Sequence, residues 1–131
     1  MNNLIGIQKG KEPLRNFGKG LTLQILLDKG TGAKNLDLGT VKIAPHSETA
    51  MHARDFEEVI YLLCGSGQVI CENGEVFTMN SGDCVLIPPG VLHKHVNHTD
   101  KPLEQLYIFA PQAGQAIQDS LRALPVLEGE E

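Results

Sequence analysis

Three observations predict an all-β barrel closed by a short C-terminal helix. Almost the whole chain is a series of short apolar runs separated by Gly, Pro, Asn and Asp. The runs recur at roughly 8–12-residue spacing, the rhythm of a sandwich or barrel. Helical periodicity occurs once, near the end. All-β chains must hide their strand edges, and a double-sheet jelly roll is one common solution.

The expected strands are 21–28, 36–44, 58–63, 67–72, 75–79, 84–87, 91–97 and 103–109. In 58–63, period-2 alternation puts Glu58, Ile60 and Leu62 on one face. Asn73-Gly74 lies between two strands and favours a tight hairpin, because Gly accepts positive φ without strain. Asn80-Ser81-Gly82 and Pro88-Pro89-Gly90 bracket strand 84–87 as further turns. The next strand places His93, His95 and Asn97 on one face. Ala113, Ile117, Leu121 and Leu124 then recur at helical spacing, and Pro125 ends the helix, giving 113–124. The acidic tail 128–131 is expected to fray.

The chain has 131 residues, 41% of them hydrophobic and 21% charged, as in an ordinary soluble globular protein. One domain over 1–131 is expected, with a core barrel at about 36–110, N-terminal strands in 1–35 and the helix within about 112–124. A formal net charge of −5 and the lack of any basic run argue against nucleic acid. No apolar stretch reaches membrane-spanning length, and the opening MNNLIGIQKGKEPL has no signal-peptide pattern, so a cytoplasmic address is expected. Cys64, Cys71 and Cys84 form no CxxC pair; they are expected to be reduced, unpaired and buried as small hydrophobes.

Five histidines occur, His46, His52, His93, His95 and His98. His52 is followed by Arg54 and then Glu58, at the head of strand EVIYLL. Extended chain would separate His52 from Glu58 by about 20 Å, so a shared site needs a bend near Asp55-Phe56. A buried Glu58 requires a partner, either a metal or a cation such as Arg54.

The stretch from His52 through Glu58 to Gly65 resembles the first motif of the cupin family. Gly82, Pro88, Gly90, His93 and Asn97 match the second motif in register. Two first-motif positions depart: His46 occupies the opening Gly and Arg54 the second His. The resemblance implies a cupin-type double-stranded β-helix, a jelly-roll barrel. It also implies a divalent transition metal (Fe, Mn, Ni, Cu or Zn) held by His52, Glu58 and His93. His95 either restores the missing ligand or lines the pocket. Arg54, His95 and Phe56 are the candidate substrate-binding residues; no catalytic residue is assigned. The resemblance further implies a homodimer whose N-terminal strands pack on the neighbour.

Two functions remain open. One is a metal-dependent oxygenase, isomerase, lyase or decarboxylase acting on a small anionic molecule, such as a carboxylate gripped by Arg54. The other is a non-catalytic sensor or small-ligand-binding module, with or without a metal; without one, Arg54 pairs with Glu58.

Overall fold

A computed structural model describes residues 3–127, so the acidic tail lies outside the described residues. Ten strands form two antiparallel sheets. The six-stranded sheet has the order β1 (Arg15–Gly18), β2 (Leu21–Leu27), β3 (Asp37–Ile43), β10 (Leu103–Ala110), β5 (Glu57–Cys64), β8 (Cys84–Ile87). The four-stranded sheet has the order β4 (Ser47–Glu48), β9 (His93–Asn97), β6 (Ser66–Cys71), β7 (Val76–Asn80). The eight expected strands are all present within a few residues of their expected bounds, and β1 and β4 are additional. Among the described residues no helix is long and apolar enough to cross a membrane.

Alternation decides which side chains enter the core. In β10, Leu103, Gln105, Tyr107 and Phe109 point inward, and in β5 so do Glu58, Ile60 and Leu62. The β10–β5 register sets Phe109 beside Glu58, Tyr107 beside Ile60 and Gln105 beside Leu62. Ile43, Ile60, Leu62, Met79 and Leu103 are essentially inaccessible and form the centre of the core. Gly39 on β3 is needed for packing: a Cβ there would stand 2.4 Å from the Tyr107 hydroxyl oxygen and from the Gln24 carbonyl.

The expected hairpin at Asn73-Gly74 joins β6 to β7. Gly74 has φ +97°, and the Asn73 side chain accepts a bond from the Glu75 amide at 2.9 Å. His46 adopts φ +56° at the position where the first motif has Gly. Histidine is among the side chains that tolerate this conformation better than most. Its ring pairs with Asp100 at 2.6 Å on the surface, far from any role as a ligand of the cluster described below.

The helix, α1 (Gln115–Arg122), is shorter at both ends than periodicity suggested. Ala113 precedes it, buried, and donates its amide to Asp37; Leu124 follows it and packs on the core. Arg122 grips Asp28 with two bonds at 2.9 and 2.7 Å, and Gln118 bonds Asp37, fixing α1 against β2 and β3. The flanking segment is tied to β1: Arg15 donates to the carbonyls of Arg122 and Leu124, and the Asn16 amide donates to Pro125. β1 and β2 thus extend their own chain's sheet.

The cysteines are free, as expected, but none is fully buried, contrary to expectation. Cys64 ends β5 and Cys84 begins β8, where the sheet face lies open to solvent, and both are exposed; Cys71 is half-buried.

Candidate metal centre

The bend required between His52 and Glu58 is present. Residues 51–54 run antiparallel to the start of β9, where His52 and His93 exchange amide–carbonyl bonds of 2.8 Å in both directions. The amide of Gly90, at φ +83°, donates to the Arg54 carbonyl at 2.8 Å, so the Pro-Pro-Gly turn anchors the same segment. The chain then bends at Asp55 and enters β5, whose first inward residue is Glu58.

His52, Glu58, His93 and His95 consequently converge, with one ligand atom from each within 4.8 Å of all the others. The rings of His52 and His93 lie 4.4 Å apart, and those of His93 and His95 5.0 Å. Glu58 Oε1 faces His93 Nε2 at 3.4 Å, and Oε2 faces His95 Nε2 at 3.5 Å. The pairing of Arg54 with Glu58, one of the two sequence alternatives, is not formed: both ion-pair contacts of Glu58 are to histidines.

The tautomers follow from the hydrogen bonds. A carbonyl oxygen only accepts, so His52 Nδ1, 2.9 Å from the Ala50 carbonyl, carries a proton, as does His93 Nδ1, 2.8 Å from the Val91 carbonyl. In each neutral ring, Nε2 is left with its lone pair. That is the second-sphere arrangement that orients metal-binding imidazoles. Glu58 Oε1 and His93 Nε2 are buried without a hydrogen bond. Two lone pairs facing each other at 3.4 Å need a cation between them, either a proton or a metal.

Electrostatics match the geometry. Burial holds His52 down to about 4, helped by the neighbouring His93, His95 and Arg54, so it is neutral at neutral pH. Burial alone would raise Glu58, but the facing His93 and His95 outweigh it and hold the carboxyl well below its ordinary range. Burial likewise opposes charge on His93, yet the contact with Glu58 raises it above its ordinary value. A carboxylate and neutral imidazoles form a donor set that fits a divalent transition ion.

These groups open into a cavity between the sheets, which leaves about 30 Å³ in which the centre of a water molecule can move. Arg54, His52, His95 and Glu58 line it, together with Phe17 from β1 and Leu121 from α1. Phe56 does not line this cavity: it is buried in the core with its ring 4.6 Å from Phe109. Asn97 also stays outside, bonding the carbonyls of Ile43 and Lys101 and accepting from Thr99. Gln105 and Tyr107, unmarked in the sequence reading, do line it; the inward parity of strand 103–109 is the signal that points to them.

A family model described as Cupin domain matches residues 39–109, more than half the chain. The chain belongs to the cupin family. Among solved structures this cupin resembles the polyketide cyclase RemF from Streptomyces resistomycificus, with a TM-score of 0.74 and 21% identity over 85% of this chain and 82% of that one. It also resembles KdgF from Halomonas sp., with a TM-score of 0.73 and 17% identity over 84% and 96% of the two chains. In sequence it is 30% identical over 87 residues to a gentisate 1,2 dioxygenase of Aquipseudomonas alcaligenes. That match covers 61% of this chain and 25% of the dioxygenase, so this cupin spans about a quarter of that relative's length.

Proposed function

We propose that this cupin is a metal-dependent enzyme acting on a small anionic molecule. His52, Glu58, His93 and His95 would hold one divalent transition ion, Fe, Mn, Ni, Cu or Zn. The observation that carries the reading is the buried, unbonded pair of Glu58 Oε1 and His93 Nε2, set among two further imidazoles. Such an ion supplies a Lewis acid with positions left for substrate or water. Arg54 lines the same cavity, and its Nε is buried without a hydrogen bond. A divalent ion and Glu58 leave one net positive charge, and Arg54 adds a second. A guanidinium grips a carboxylate through two hydrogen bonds, so Arg54 orients the substrate's acidic group. The relative named as a dioxygenase supports enzymatic chemistry in this family without choosing the reaction.

The test combines elemental analysis with calorimetry. The purified chain should carry near one equivalent of a transition metal. Butanoate should bind the metal-loaded protein more tightly than chelated protein or Arg54→Ala. A metal-free protein that cannot be loaded, or equal affinity in all three forms, refutes the proposal.

The same reading includes a homodimer in the cytoplasm. Tyr61, Leu63 and Leu86 are exposed on neighbouring strands of the outer sheet face, and Leu4 and Ile5 are exposed near the N-terminus. Covering them in a second copy accounts for their apolar character. A monomer mass by light scattering at micromolar concentration overturns that part.

A further inference from the structure

Among the described residues, four carboxamide side chains are buried: Gln24, Asn97, Gln105 and Gln118. Three are well bonded. Gln24 donates to the carbonyls of Lys9 and Glu12. Asn97 donates to Ile43 and Lys101 and accepts from Thr99. Gln118 donates to Asp37 and the Ala113 carbonyl and accepts from Lys29. Gln105 is 5% exposed and has no protein partner for its amide among the described residues; its polar atoms are not among the sealed, unbonded ones, so they open onto the cavity it lines.

The reason lies in its position. β10 turns Gln105 inward between Val41 of β3 and Leu62 of β5, neither of which offers a side-chain partner. With Leu23 and Ile60 nearby, it lines the cavity shared by Glu58, His95 and Arg54. Buried amides are almost always satisfied, and one whose polar atoms find no protein partner and open onto a cavity marks a place where water or a ligand supplies the bond.

We infer that Gln105 is a specificity residue that recognises a second oxygen, a hydroxyl or oxo group, on a short-chain acid bound in this cavity. The amide both donates and accepts, which matches a hydroxyl in either sense and an oxo group through its NH2. The small cavity and its apolar walls select a short carbon skeleton. Arg54 and the metal centre take the acidic end; for that end alone, the inference rests on the function proposed above.

The probes are butanoate and its 2-, 3- and 4-hydroxy derivatives, titrated by calorimetry into the metal-loaded full chain, Gln105→Leu and Gln105→Met. In the unaltered protein, one hydroxybutanoate should bind about tenfold more tightly than butanoate, the effect of one well-placed hydrogen bond. In both variants that advantage should fall to within about twofold while butanoate still binds. The ligand-free variants should melt at or above the parent temperature, because an amide with no protein partner has been replaced by an apolar side chain in a largely apolar lining; a purely structural glutamine would make them melt lower. If Gln105→Leu does not fold, Gln105→Met gives the same readings. An advantage that survives both substitutions overturns the inference, as does equal binding of all four acids to the parent, or no binding at millimolar concentration. Failure of the metal and Arg54 reading looks different: chelation and Arg54→Ala then leave every affinity unchanged, while the hydroxyl preference still follows Gln105.

Discussion

Asn97 completes the second motif, sits on the same inward face as His93 and His95, and is fully buried. Its geometry makes it a brace for the strand end, not a ligand, and replacing it separates the two roles. Its amide donates to the Ile43 carbonyl at 2.9 Å and the Lys101 carbonyl at 2.7 Å. Its carbonyl accepts from the Thr99 amide at 2.9 Å and hydroxyl at 2.8 Å. At about 1 kcal/mol net for each hydrogen bond, the four together contribute about 4 kcal/mol at most. Thr99 is near the surface and recovers part of its loss to water, whereas the Ile43 carbonyl is sealed in the core and recovers none. Asn97→Ala should therefore cost about 3 kcal/mol and lower the melting temperature by roughly 10 °C. Asn97→Asp should be no milder, since it turns a carboxylate toward the Ile43 carbonyl. Urea unfolding gives the free energy, and zinc titration of the folded variant gives the metal affinity. A loss below about 1 kcal/mol, or weakened zinc binding at unchanged stability, refutes the bracing role.

Glu58→Gln removes the one anionic donor of the cluster and should weaken zinc binding by at least about 100-fold, read by competition with a chelating dye. Acid should destabilise the metal-free protein. Unfolded His52 takes a proton near its ordinary 6.5 but the folded residue only near 4, so the unfolded state binds more protons and stability falls as pH drops through that window. Glu58, lowered on folding, adds a further loss below its ordinary 4.5. His93, raised on folding, acts in the opposite sense, its contribution present below 6.5 and lost as pH rises through its folded value. Thermal melts across pH 4–7 should show a shallower acid slope for His52→Gln, and an unchanged slope counts against burial as the cause. A thiol reagent should label Cys64 and Cys84 in the native protein faster than half-buried Cys71, with three thiols after denaturation without reductant.

The strands were legible because turn residues bracket each apolar run. β1 and β4 were not, for physical reasons. Ser47–Glu48 is only two residues long and exists by pairing with Asn97 and Val96. Arg15–Gly18 is an edge strand with a register irregularity and no strong apolar alternation. At the candidate site, His52, Glu58 and His93 stood out by motif position and His95 by parity with His93. Phe56 was a candidate substrate-binding residue, but it lies at the bend just before β5 and its ring stacks on Phe109 in the core. Gln105 belongs to neither motif, and only the inward alternation of its strand reveals it.

The lining of the cavity by Phe17 and Leu121 separates two properties of the centre. The donor atoms come from β5, β9 and the segment before β5, but part of the apolar lining beside them comes from β1 and α1, whose flanks are stitched together through Arg15, Asn16 and Pro125. Charge–charge interactions strengthen as water is excluded, so this outer seam contributes to the effective dielectric in which Glu58 and Arg54 act. Sequence drift in the seam can therefore retune the centre's acidity and anion affinity while every donor atom stays in place, leaving the two motifs as a constant socket and the chain's outer segments as its adjustable insulation.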